Sequence, residues 1–148
     1  MFQHILIATD GSELATKALE HGLALAKSLG CKVTIATVTD RWPLVEVAAQ
    51  AEMGEKDPIG HYASLAEQSA QAVLGAARKF AVEAGVAVEE LHIKQQHPAE
   101  GIVAAARQSG ADLIIVASHG RRGINQLLLG SVANEITTKS DRSVLVVR

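Results

Sequence analysis

Short, unbroken apolar runs alternate along this chain with longer stretches whose apolar residues recur at helical spacing. Ile5-Leu6-Ile7-Ala8 is fully apolar, as expected of a central parallel strand buried on both faces. Asp10-Gly11-Ser12 breaks it. Ala15, Ala18, Leu19, Gly22, Ala26 and Leu29 then share one helical face, with Glu13, Lys17, Glu20 and Lys27 opposite. Ser12 suits the N-cap and Gly30 the C-terminal stop. Val33 to Val38 reads as the second strand. Residues 39 to 60 lose periodicity around Trp42-Pro43, Gly54, Pro58 and Gly60, which predicts a surface segment or lid with a marginal helix over Leu44 to Ala51. The next helix is predicted from the stripe Leu65, Ser69, Ala72, Val73, Ala76 and Phe80, ending near Gly85. Val88 to Ile93 carries Glu89, Glu90 and His92 and reads as an edge strand. Pro98 opens a helix with Ile102, Val103 and Ala106 inward, closed by Gly110. Leu113 to Val116, Ser131 to Lys139 and Ser143 to Val147 complete the series as strand, helix and strand.

Strands alternating with helices imply an α/β fold. The expected architecture is a single-domain, doubly wound, five-stranded parallel sheet in the order 3-2-1-4-5, spanning residues 1–148. In such sheets a ligand binds beyond the C-terminal ends of the strands, where the winding reverses. Strands one and four meet there. Their ends carry Asp10 and the turn Ala117-Ser118-His119-Gly120, so two polar features converge on one crevice.

Composition narrows the partners. The net charge is −2 and aromatic residues make up 3% of the 148 positions. There is no global basic field to attract nucleic acid or an anionic membrane, and few rings on which bases would stack. Phosphate binding must then be local. The single cysteine, Cys31, is read as structural. The N-terminal stretch turns polar too quickly for a signal peptide, and no apolar run approaches the ~20 residues of a membrane span. The expected placement is cytoplasmic.

The candidate chemistry lies at the crevice. After the fourth strand come Gly120, nine residues, and then Gly130-Ser131 opening a helix. Unpaired N–H groups and the helix dipole favour an anion there, and glycine lets backbone approach it closely. Gly120, Gly130, Ser131 and Val132 would present N–H groups to phosphate, unless Ser131 simply caps the helix. Arg121 and Arg122 are phosphate partners or solvated surface. Asp10 can accept ribose hydroxyls or help hold Mg²⁺, or it can shape the turn into the first helix. His4, His21, His61, His92 and His97 show no metal spacing and read as structural or exposed. Asp10 and His119 are the only candidate bases near the crevice, which favours binding, with slow hydrolysis at most.

The opening Ile5 to Ser12, the Thr37-Val38 strand end, the Ser118-His119-Gly120 turn and Leu129-Gly130-Ser131-Val132 resemble the universal stress protein family in its ATP-binding branch, over the whole chain. That resemblance implies a Rossmann-like fold of the adenine nucleotide alpha hydrolase type. It implies ATP, with or without Mg²⁺, as ligand. The implied site is Ala8, Thr9, Asp10, Val38, Ala117, Ser118, His119, Gly120, Arg121, Arg122, Gly130, Ser131 and Val132, with Asp10 beside the ribose or a phosphate-bound metal and Val38 beside the adenine. The family's first motif glycine is replaced by Ala117, tolerable if that position is extended, and costing affinity if the family glycine is needed for positive φ or for contact with the sugar. The resemblance further implies a regulator or sensor that forms a homodimer through Ser143 to Val147. A dimeric scaffold that binds no nucleotide, and a slow ATPase, are the alternatives.

Overall fold

A computed structural model describes residues 1–121 and 128–148. The strands are β1 (His4–Ala8), β2 (Lys32–Thr39), β3 (Glu89–Lys94), β4 (Leu113–Ala117) and β5 (Ser143–Val147). The helices are α1 (Glu13–Leu29), α2 (Leu44–Glu52), α3 (Pro58–Ala84), α4 (Pro98–Ser109) and α5 (Ser131–Lys139). The strands form one five-stranded sheet in the order β3-β2-β1-β4-β5, and every pairing is parallel. This is the expected doubly wound sheet.

Strand alternation sends side chains into two cores. Ile5, Ile7, Leu113 and Ile115 face α1 and α3, where they meet Leu19, Leu23, Leu74 and Ala77. Leu6, Ala8, Ile114 and Val116 face α4 and α5, against Ile102, Val103 and Ile136. Continuous apolar runs are what a sheet buried on both faces requires. Gly22 lets α1 sit close to the sheet, since a Cβ there would lie 2.6 Å from Ile7 Cδ1. The Asp112 carboxylate accepts the N–H groups of Gln3 and His4, tying the start of β1 to that of β4. Burial pushes its pKa up, but those bonds outweigh that and hold it below the usual range.

The helix expected over Leu44 to Ala51 within the 39–60 surface segment is present as α2, with no buried residue. Other expectations need correction, beginning with α3. That helix begins at Pro58, seven residues before the predicted stripe, with Asp57 as its N-cap accepting from Gly60 N–H at 3.0 Å. Pro58 is therefore a helix start, where its missing N–H is harmless, and not a breaker. The buried face of α3 is Ala70, Leu74, Ala77 and Ala81. Leu65, Ala72 and Ala76 are exposed instead. Where alanine fills several faces, periodicity alone does not choose between adjacent stripes. In α1 Leu23 is buried while Leu29 is only partly so.

Candidate functional site

The C-terminal ends of β1, β2 and β4 open into a cavity of about 600 Å³, inside the ~300–1,000 Å³ typical of small-molecule sites. Ala8, Thr9, Asp10, Val38, Ala117, Ser118, His119, Gly120, Arg121, Gly130, Ser131 and Val132 all line it. Arg122, the remaining predicted site residue, lies outside the described residues.

Asp10 follows β1, where the chain turns into α1. Its Oδ1 accepts the Ser12 N–H at 2.9 Å, as in an Asx turn. Its Oδ2 accepts the Arg121 N–H at 3.0 Å. One carboxylate thus shapes the entry to α1 and joins it to the segment after β4. Gly11 has φ +78, a conformation glycine adopts without strain. The Arg121 guanidinium lies over this turn, with Nη2 3.3 Å from where a Gly11 Cβ would be. Thr9 is buried and its Oγ1 accepts the Gly11 N–H.

On the β4 side, Ala117 closes the strand in register with Val147. It is extended backbone and 7% exposed. The position is therefore the kind at which alanine replaces glycine without backbone strain. Ser118 is buried, donates its N–H to the Val147 carbonyl, and its Oγ lies 3.1 Å from His119 Nδ1. The Ser118 carbonyl accepts the Gly130 N–H at 2.7 Å, which holds the end of β4 against the start of α5.

Gly130, not Ser131, is the N-cap of α5, and among the described residues no side chain caps the helix there. Ser131 is the first helical residue and is exposed. The capping role for Ser131 is thereby replaced by an open helix start that faces the cavity. The glycines serve a tighter purpose than the sequence suggested. A Cβ on Gly130 would lie 2.7 Å from the Ser118 carbonyl oxygen, and one on Gly120 would lie 2.7 Å from Asp10 Oδ2. The close approach they permit is first of all that of the protein to itself.

The cavity also takes in residues that sequence reasoning left out: Thr39 and Asp40 after Val38, Ser69 and Val73 of α3, and His97, Pro98 and Glu135. His97 and His92 were read as structural or exposed. His97 lines the cavity, with Nδ1 3.8 Å from Glu135 Oε2, and His92 holds Thr39 through a 2.9 Å contact. Their signal was topological: in a parallel sheet the β3 end and the β3–α4 turn border the same crevice. Cys31 precedes β2, at the opposite end of the sheet. Its thiol is pushed up by burial, consistent with a structural role. Among the described residues no group of three His, Cys, Asp or Glu gathers to hold a metal. No helix among them is long and apolar enough to cross a membrane.

The full chain, residues 1–148, matches the model of the Universal stress protein family. Universal stress protein MJ0531 of Methanocaldococcus jannaschii is 32% identical over 148 residues, covering all of this chain and 83% of the relative. Universal stress protein YxiE of Bacillus subtilis is 30% identical over 150 residues, covering the whole of both. Among solved structures, that of MJ0577, a universal stress protein of Methanocaldococcus jannaschii, matches with a TM-score of 0.77 at 30% identity, over 99% of this chain and 96% of that one. A universal stress protein in complex with cAMP matches with a TM-score of 0.70 at 26% identity, over 99% and 97%. This chain belongs to the universal stress protein family.

Proposed function

We propose that this universal stress protein binds an adenine nucleotide, ATP in particular, as a cytoplasmic stress-response sensor. The observation that carries the reading is that the start of α5, Gly130 to Val132, with no side-chain cap among the described residues, lines the same cavity as Asp10 and Val38. The N–H groups of its first turn would receive phosphate oxygens. Asp10 would accept ribose hydroxyls on lone pairs that its two backbone partners leave free. Val38 would border the base. The cAMP complex of a related protein supports the same ligand class. Mg²⁺ would be held by phosphate oxygens and water with Asp10 as the protein carboxylate, in keeping with how sparingly this ion uses protein ligands.

Binding is favoured over turnover. The two groups nearest the phosphates are already engaged, Asp10 with two backbone N–H groups and His119 Nδ1 with Ser118 Oγ. Nucleotide would act as a signal if one conformation or assembly binds it better than another. We further propose that the assembly is a homodimer paired through β5.

Mass spectrometry of freshly purified protein should find a retained adenine nucleotide, and calorimetry should show ATP binding with and without Mg²⁺. Ser131→Glu separates site from fold. A carboxylate in the first turn of a helix is neutral or mildly stabilising, yet it would repel phosphate. ATP affinity should fall at least about tenfold, the scale of one lost charge-assisted interaction, with no fall in the unfolding midpoint. Unchanged ATP affinity in this variant would place the phosphates elsewhere.

A further inference from the structure

Three side chains outside the predicted site form a line that ends at the cavity wall. Thr39, the last residue of β2, lines the cavity. Its Oγ1 lies 2.9 Å from Nε2 of His92 on neighbouring β3. The imidazole is only 10% exposed, and its Nδ1 lies 3.3 Å from Oε2 of Glu67 on α3. Among the described residues Nδ1 has no hydrogen-bond partner, and the Glu67 carboxylate is the charged group that faces it. Glu67 is itself fixed. Its Oε2 lies 2.8 Å from Lys94 Nζ and its Oε1 accepts from Gln71 Nε2 at 3.2 Å. The bond from the Lys94 ammonium holds its carboxyl below the usual carboxylate range, which keeps it an anion at neutral pH.

A neutral imidazole carries one proton, and the partner of one nitrogen decides where it sits. With the imidazole neutral and its proton on Nδ1, facing the Glu67 carboxylate at 3.3 Å, Nε2 is an acceptor and the Thr39 hydroxyl donates to it. A hydroxyl has one proton to give. With that proton turned to His92, Thr39 offers the cavity lone pairs and no donor.

We propose that Thr39, polarised by His92 and Glu67, makes the β2 end of the cavity selective for a base bearing an amino group over one bearing a carbonyl. This rests on the nucleotide reading above. With phosphates at the start of α5, beside β4, the base falls two strand spacings away, about 10 Å, at the end of β2. The amino group of adenine donates to Thr39 Oγ1. A carbonyl in the same place sets oxygen against oxygen and leaves both unpaired. Thr39 is the residue that reads the base. His92 and Glu67 are positioning residues that act through it.

Calorimetry with ATP and ITP tests this, since ITP carries an oxo group where ATP carries the amino group. The wild type should prefer ATP by about tenfold, the cost of one unsatisfied polar group. Thr39→Ser keeps the hydroxyl and should keep the ratio. Thr39→Val keeps the shape and should bring the ratio close to one, through weaker ATP binding. Glu67→Gln leaves Thr39 in place but frees the His92 tautomer, and should also lower the ratio. A line of side chains that only clasped α3 to the sheet would change the melting temperature of these variants and leave the ATP-to-ITP ratio alone. Equal binding of ATP and ITP by the wild type overturns the proposal, as does an unchanged ratio in Thr39→Val. Failure of the wild type to bind either nucleotide overturns the nucleotide reading itself, and this inference with it.

Discussion

At position 117 a methyl group stands where the resemblance places a glycine, and the backbone there does not require glycine. Ala117 is the last extended residue of β4, paired with Val147, and its conformation needs no positive φ. Substitution by glycine removes a small buried contact and adds freedom to the unfolded chain. Ala117→Gly should therefore leave ATP affinity unchanged and lower stability by about 0.5–1 kcal/mol, read by calorimetry and denaturant titration respectively. A clear loss of affinity would show that the methyl itself touches the ligand. Gly130 is the opposite case. Its φ is −59, so no special conformation demands glycine; what demands it is the Ser118 carbonyl 2.7 Å from any Cβ. The sequence displays both residues in one spaced motif. It cannot display which of them is crowded, because the crowding atoms are twelve residues away along the chain. The same limit hid Thr39 and His92, whose pairing depends on the register of β2 against β3.

Among elements, legibility followed the contrast between apolar and polar positions. β1, β4 and β5 are continuous apolar runs and were readable within a residue or so. The edge character of β3 was readable from its charges. The α3 helix and its stop at Gly85 were readable, but its start and buried face were not, because its first turns, Pro-Ile-Gly-His-Tyr-Ala-Ser, show no stripe and its alanines fit several faces. The turn from β3 to α4 carries a further feature that composition conceals. Gln95 has φ +50, the only non-glycine among the described residues with positive φ. A left-handed conformation costs an L-residue with a Cβ about 1–2 kcal/mol, and glycine returns part of that as unfolded-state entropy. Gln95→Gly should thus raise stability by about 0.5–1 kcal/mol, measurable as a higher denaturant midpoint at unchanged slope. A lower midpoint would mean that the Gln95 side chain contributes more than its backbone costs. The strain lies two residues before His97, which lines the cavity, so this turn holds the cavity rim in place against its own local preference.

For the whole molecule, the parallel sheet gathers the cavity at one end and leaves two lateral edges that differ in chemistry. The β3 edge carries Glu89, Glu90, His92 and Lys94, with Arg78 paired to Glu90 at 3.0 Å; such charge discourages strand pairing. The β5 edge reads Ser-Val-Leu-Val-Val, with no charge in the strand and Leu145 39% exposed. The α2 helix packs on α3, and α3 on β2 and β3, so residues 39 to 60 sit on the half of the sheet away from β5 and do not cover its edge. A second copy, paired antiparallel across a two-fold axis, would satisfy the outer backbone groups of β5 and cover its side chains. Backbone geometry singles out a test residue. The Val147 carbonyl accepts the Ser118 N–H, so the polar groups of Val147 point toward the β4 side. Polar groups alternate sides along a strand paired in parallel, so those of Val146 point outward, to the free edge. Val146→Pro accordingly removes an N–H that the sheet itself does not use. Sedimentation at micromolar concentration should show a dimer for the wild type and a folded monomer for Val146→Pro, with its circular dichroism retained. A wild-type monomer, or a dimer indifferent to this proline, would exclude β5 as the interface.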